Sequence, residues 1–193
     1  MLDPNLPVHP QTAVRTLAHY GLQVREDVAF TNAKGEDNRG VRKCAEKTLA
    51  KLQTILGQTL EPGEVVLYVV NGKVYAGVIE QLLVGWIAMY LMSVALVFTN
   101  RRLLHLRVHS NGAWRGSLSA VAWGDVESAR VHGWLNRYLD LKYRNGVKAR
   151  YWGFRSADKG KLKALLPLLQ DACRGEMSPA AGKIGRASCR ERV

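Results

Sequence analysis

The sequence lacks the short motifs that mark many catalytic and metal-binding sites. It contains no glycine-rich phosphate loop, no G-x-S-x-G elbow and no CxxC pair. Its three cysteines, Cys44, Cys173 and Cys189, are far apart in the sequence, and no Cys or Ser forms a recognisable catalytic motif with His and Asp. We therefore expect a protein that is not an enzyme and that uses no metal or cofactor.

A secretory signal is also missing from the first residues, MLDPNLPVHP, which hold neither a basic segment nor an apolar segment. Scarce, unpaired cysteines are typical of proteins that work in reducing compartments. These two observations predict a cytoplasmic protein, or one that is peripheral at the inner face of a membrane.

The chain carries an excess of positive charge. Residues 183–193, KIGRASCRERV, resemble a translated sequencing adapter, and leaving out their four basic residues and one acidic residue lowers the formal net charge from +12 to +9. The remainder is still basic, which favours anionic partners. We expect anionic lipid headgroups or an acidic protein surface; nucleic acid is the remaining alternative, although no recognition motif for it is present.

Hydrophobic residues make up 47% and charged residues 23% of the 193 positions, which fits one globular core with an extension. A short helix is predicted around Thr12 to Tyr20, followed by a polar linker. A second helix, ending near Gly57, is predicted by apolar residues that recur every three or four positions. These residues are Val41, Ala45, Leu49, Leu52 and Leu56, and the neighbouring solvated face carries Lys43, Lys47 and Lys51.

The segment from Leu82 to Phe98 contains no charged residue and has two interpretations. The favoured one is a buried helix at about 79–92 followed by a strand from Ser93 to Phe98, where β-forming residues become frequent. The alternative is a membrane-anchored protein with a single span at about 82–98, since the length approaches that of a bilayer-crossing helix.

Other parts of the chain show the features of an antiparallel sheet. Val65 to Val70 reads as a strand between a Pro-Gly turn and an Asn71-Gly72 turn, and the polar TNRR joins SVALVF to LLHLRV as a hairpin. In LDLKYRNGVKARYW apolar and polar residues alternate strictly around Asn145-Gly146, which predicts one buried and one wet face. Leu162, Leu165, Leu166 and Leu169 then form the stripe of a last helix, which Pro167 should kink or divide.

Several of these pieces resemble bacterial pleckstrin-homology-like (PH-like) domains. They are LEPGEVVLY, LLVG, VFTNRRLLHL and WGDVESARV, and the resemblance covers about residues 58–173. It implies an α+β, mainly β fold: a bent antiparallel barrel closed by a C-terminal helix. The predicted organisation is an N-terminal helical extension at 1–57, a PH-like domain at 58–175 with an apolar helical insert between its first two strands, and a disordered tail at 176–193.

The candidate binding residues are basic. The wet face of the Asn-Gly hairpin collects Lys142, Arg144, Lys148 and Arg150, with Arg137 nearby, and a second pair, Arg101 and Arg102, lies in the TNRR turn. Such clusters attract phosphate, although arginines in a turn also pair with neighbouring carboxylates. We expect a non-catalytic module that docks through these residues.

Two further pairs are weaker candidates for chemistry. His105 and His109 have no visible third metal ligand, and Asp125 is expected to fix a turn rather than to form a catalytic pair with Glu127.

Overall fold

The computed structural model describes residues 15–75, 92–134 and 136–170. Strands outnumber helices in this part of the chain, as expected of an α+β fold that is mainly β. The strands are β1 (Thr16–His19), β2 (Leu22–Arg25), β3 (Val66–Val74), β4 (Ser93–Thr99), β5 (Arg102–Val108), β6 (Trp114–Ala122), β7 (Val126–His132), β8 (Tyr138–Tyr143) and β9 (Lys148–Trp152). The helices are α1 (Glu26–Ala29), α2 (Arg39–Thr59) and α3, whose described part covers residues 156–170.

All nine strands belong to one sheet. Seven of them follow the order β6-β5-β4-β3-β9-β8-β7 with antiparallel neighbours. β2 joins β3 in parallel by pairing Val24 with Val66, and β1 pairs with β2. β6 and β7 occupy the two ends of this order and do not pair with each other in the described residues, so the sheet is open.

Two hydrophobic clusters cover opposite faces of β3, β4 and β5. One cluster joins α2 to one face of these strands and includes Leu49, Val97 and Leu104. The other lies on the opposite face, where Leu103 packs with residues of β8 and with the leucines of α3. The apolar runs at 66–70 of β3 and 94–98 of β4 are continuous because both faces are covered there.

Helix α2 is capped at its start and packs one face against the sheet. The side chain of Asn38 caps it by accepting hydrogen bonds from the backbone N–H groups of Gly40 (3.0 Å) and Val41 (3.1 Å). All five apolar residues predicted for its inner face are buried, which confirms the helix. The described residues of the predicted N-terminal extension therefore share a core with the sheet.

The predicted helix around Thr12 to Tyr20 is wrong in its described part. Thr16–His19 is strand β1, paired with β2 as a hairpin. Tyr20 and Gly21 make the turn, with φ of 54° and 76°. Positive φ at both central residues is the geometry that matches the twist of paired strands, and a helix cannot pass through it.

The predicted Asn71-Gly72 turn is also wrong, because β3 continues through both residues and pairs Gly72 with Val94 of β4. The glycine has a packing role instead. A Cβ atom there would lie 2.6 Å from Cε1 of Phe154, so only glycine leaves room for that ring.

The predicted strand after the apolar insert is confirmed, since Ser93–Thr99 forms β4. A membrane span that includes residues 93–98 is therefore wrong. The predicted helix at 79–92 lies outside the described residues except for its last position, as does the tail at 176–193. Among the described helices, none has both the length and the apolar character needed to cross a bilayer.

Helix α3 packs its four predicted leucines into the core. It stays helical through Pro167, so of the two predicted effects of this proline, a kink or a division of the helix, the division is wrong. Near its start, Asp158 accepts hydrogen bonds from the Tyr68 hydroxyl (2.7 Å) and from the Arg155 guanidinium (2.8 Å). The helix is thereby fixed against β3 by polar as well as apolar contacts.

Candidate functional site: the outer face of β7, β8 and β9

The register of β7, β8 and β9 arranges their outward side chains in three rows. Leu139 and Leu141 of β8 point into the core, so the residues that alternate with them along the strand point outward. The rows hold His132, Tyr138 and Trp152; then Arg130, Asp140 and Arg150; then Ser128, Lys142 and Lys148. We call these nine residues the outer face.

The middle row is organised around Asp140. Its carboxylate accepts hydrogen bonds from Nε (2.6 Å) and Nη2 (2.8 Å) of Arg150, and Nε2 of His132 lies 3.0 Å from it. The hydrogen bonds from Arg150 lower the pKa of Asp140, with a smaller contribution from His132. This carboxylate therefore neutralises part of the charge of the row and holds Arg150 in place.

The outer face nevertheless carries an excess of cations. Lys142 pairs with Glu127 at 2.5 Å, whereas Arg130 and Lys148 have no ion-pair partner among the described residues. A groove of about 510 Å³ follows this surface, and Asp140 is the one carboxylate among its lining residues. Four cations line the same groove, so its field is positive and attracts anions.

Aromatic rings occupy the other end of the outer face. His132 stacks on Tyr138 at 5.4 Å between ring centroids, and Tyr75 meets Tyr138 edge to face at 6.1 Å. The Arg150 guanidinium lies 5.4 Å from the Tyr75 ring centroid, which joins the aromatic row to the basic rows.

The loop between β7 and β8 extends the aromatic end with Trp134, whose exposed fraction is 85%. Gly133 precedes it with φ of 88°, and a Cβ atom there would lie 1.9 Å from the carbonyl oxygen of Asn136. Lys159 of α3 donates a hydrogen bond to the Gly133 carbonyl. Lys159 thus ties the start of this loop to α3, and the Trp134 ring that follows lies in solvent.

The arrangement suits binding. Within the described ranges, no group of three or more His, Cys, Asp or Glu residues could hold a metal ion. His105, one of the weaker candidates, contacts the Tyr151 ring and Ser119, and burial together with the Arg107 charge lowers its pKa. The outer face offers cations, aromatic rings and one clamped carboxylate, a set that can bind an anionic surface.

The structure brings together three of the predicted binding residues, Lys142, Lys148 and Arg150. Arg144 lies in the following turn, where its backbone N–H donates to the carbonyl of Asp125 (2.9 Å). Arg137 donates to the carbonyl of Phe154 (3.0 Å), beside the start of α3, and does not belong to the three rows.

Arg101 and Arg102 belong to a different cluster. Arg101 pairs with Glu61 at 2.8 Å and Arg102 with the buried carboxylate of Glu64 at 2.8 Å. Burial would raise the pKa of Glu64, but the hydrogen bond from Arg102 and further hydrogen bonds hold it below its usual value. These arginines fix the turn between β4 and β5 against the entry to β3.

Two residues of this region were missed by sequence reasoning, Arg130 and Trp134. The signal for Arg130 was present, because Ser128, Arg130 and His132 alternate with buried or half-buried neighbours in β7. No local pattern marks the exposure of Trp134, which follows Gly133 in the loop between β7 and β8.

No family model and no curated protein matches this chain. Among solved structures, it is similar to the C-terminal domain of an unknown protein from Leishmania infantum, with 13% identity and a TM-score of 0.41. That alignment covers 67% of this chain and 97% of the other.

Proposed function

We propose that the protein is a non-catalytic module that docks on anionic lipid headgroups through the outer face. The observation that carries the proposal is Trp134, 85% exposed, in the loop next to a surface with excess cations. Tryptophan favours the boundary between lipid headgroups and acyl chains, and basic side chains near an acidic leaflet are attracted to it. In a cell the protein would be cytoplasmic and peripheral at the inner face of the membrane.

We also propose that residues 58–175 form a PH-like domain. Support comes from the order β6-β5-β4-β3-β9-β8-β7, in which two groups of strands meet through β3 and β9 before a C-terminal helix. The leucine stripe of α3 packs into the cluster between these groups, which is how a closing helix would act. Such a domain identifies a shape and a binding role rather than a reaction.

The expected affinity is modest. Each basic residue near an acidic leaflet contributes about 1 kcal/mol, and the groove has a surplus of roughly two cations once Asp140 and the Glu127 paired with Lys142 are counted. With a contribution from Trp134, this supports reversible binding that weakens as salt is added. A protein with an acidic surface would compete for the same cations.

Vesicle co-sedimentation tests the proposal. The protein should bind phosphatidylcholine vesicles that contain phosphatidylserine and should not bind vesicles of phosphatidylcholine alone. Reversing two cations of the outer face, with Arg130→Glu and Lys148→Glu, should weaken binding about tenfold or more, and Trp134→Ala should weaken it less. Reversal of Lys34 and Lys43, which are exposed outside this face, is the control of equal charge.

Equal losses in the two double variants would show that net charge, and not the outer face, drives association. Binding to neither vesicle composition would overturn the lipid proposal. A mobility shift with nucleic acid, or capture by an acidic protein, would then identify that molecule as the partner instead. Thermal unfolding of each variant separates lost binding from lost folding.

A further inference from the structure

A second cleft lies between helix α2 and the place where β3 ends and β4 begins. Its volume is about 370 Å³. Lys47 and Lys51 of α2 form one wall, Asn71 and Lys73 of β3 form another, and residues 109–112 of the turn after β5 contribute a third. We call this cavity the α2 cleft.

The cleft begins where the helix-sheet interface changes from apolar to polar. Val69 of β3 is buried in the cluster under α2, and two residues further on Asn71 is exposed. The Asn71 side-chain amide donates a hydrogen bond to the Thr48 hydroxyl of α2 (2.8 Å), so Asn71 faces the helix. Lys73 follows on the same face. Asn71 and Lys73 therefore give the cleft a polar wall on the β3 side.

The charge of the α2 cleft has a single sign. Lys47, Lys51 and Lys73 line it together with His109, and no aspartate or glutamate is among the lining residues. Lys51 donates a hydrogen bond to the Asn111 carbonyl and so holds the turn against α2. Lys47 has no ion-pair partner among the described residues, so its charge is available to a ligand.

Small and hydroxyl-bearing residues complete the walls. A ligand can approach the backbone closely at Gly153, where an added Cβ atom would meet nothing within 4 Å, and Ser93 and Ser110 supply hydroxyl donors. Lysine binds phosphate as a point charge, and small-ligand sites usually have volumes of about 300–1,000 Å³. The cleft therefore combines cations, neutral donors and a suitable size.

We propose that the α2 cleft binds a compact anion that carries several phosphate groups. The anion would be drawn in by the three lysines and would take hydrogen bonds from hydroxyl and amide groups of the walls. Lys73 places the cleft beside the outer face, because its ammonium lies 5.4 Å from the ring centroid of Trp152. The ligand is therefore either a free polyphosphate or the phosphorylated headgroup of a lipid in the bound membrane.

Calorimetric titration with tripolyphosphate tests the cleft with the whole chain. The unmodified protein should bind it, and Lys47→Gln or Lys73→Gln should each weaken binding about tenfold, as expected for loss of one charge-assisted contact. Lys43→Gln is the matched control, because it removes the same charge from the same helix outside the cleft. Thermal unfolding checks that the variants are folded.

Absence of binding by the unmodified protein, or equal weakening by Lys43→Gln, would overturn the proposal.

A vesicle-binding experiment separates the two ligand sources by comparing phosphatidylinositol bisphosphate with phosphatidylserine at equal surface charge. A preference for the former that Lys47→Gln abolishes identifies a lipid headgroup; tripolyphosphate binding without such a preference identifies a soluble ligand. The Arg130→Glu, Lys148→Glu variant should lose vesicle binding while keeping tripolyphosphate binding, so failure of one proposal is distinguishable from failure of the other.

Discussion

β3, β4 and β5 are covered on both faces, whereas β7, β8 and β9 are covered on one. In β5 the adjacent residues Leu103 and Leu104 are both buried, in different clusters on opposite faces. In β8 the buried Leu141 is followed by Lys142, which is partly exposed. The difference has one physical cause: helix α2 lies over the first group of strands and leaves the second group bare.

This contrast separates positions that are constrained by packing from positions that can serve binding. In the doubly covered strands, each side chain fills space against a neighbour, and a polar residue needs a partner. On the outer face, an outward side chain is chosen for what it presents to solvent. The α2 cleft lies at the boundary, where the cover of α2 ends at Asn71 and Lys73.

The largest expected effect tests the double burial directly. Leu103→Ala and Leu104→Ala should each lower the free energy of unfolding by about 2–5 kcal/mol, because both leave cavities. In β8, Leu141→Ala should lose a similar amount, while Lys142→Ala should change stability by no more than about 0.5 kcal/mol. Urea unfolding of the four variants measures this. A mild effect of Leu104→Ala would mean that α2 does not seal that face.

A smaller effect is expected from Lys161, a buried cation that links α3 to the N-terminal segment. Its ammonium donates to the Thr31 hydroxyl (2.6 Å), and only 1% of the residue is exposed. Burial lowers the pKa of Lys161 from its usual 10.5 to about 8, so the unfolded chain binds this proton more tightly. Stability therefore increases as pH rises through the window from about 8 to 10.5, and the gain between pH 8 and 9.5 should be about 1–2 kcal/mol.

Urea unfolding at several pH values, compared with Lys161→Met, isolates this contribution. The variant should lack the increase, because methionine removes the titrating group and keeps a similar shape. An identical pH dependence in both proteins would assign the increase to another group. The result would also show whether the interface between α3 and the N-terminal segment tolerates a buried charge, in contrast to the exposed cations of the outer face.

The sequence predicts much of the half-wet region and less of the covered one. Period-two alternation from Leu139 to Tyr151 identifies β8, β9 and the basic outward residues, because a strand with one exposed face has a polar residue at every second position. The same pattern was available in β7, where Arg130 was missed. In the covered strands no alternation exists, so the Asn71-Gly72 pair was taken as a turn when its glycine makes room for Phe154.

Tertiary pairing explains what sequence patterns leave out. Lys47 and Lys51 were predicted as a helix face, but periodicity cannot show that Lys73 of a distant strand faces them across a cleft. Likewise, no sequence pattern shows that Lys159 of α3 donates to the Gly133 carbonyl beside Trp134. Local patterns therefore predict which face of an element is exposed to solvent. Which side chains of different elements lie close together depends on the fold.

The smallest predicted effect concerns Asp140, the carboxylate on the outer face. Asp140→Asn removes the single carboxylate lining the groove and keeps an oxygen that can accept a hydrogen bond from Arg150. Removing one negative charge beside an acidic leaflet should strengthen binding to phosphatidylserine vesicles by roughly 1 kcal/mol or less, up to about fivefold. Glu36→Gln, which removes an exposed charge elsewhere, is the control and should have little effect. Weaker binding by Asp140→Asn would instead mean that the carboxylate is needed to hold Arg150 towards the lipid, so that its positioning role outweighs its charge.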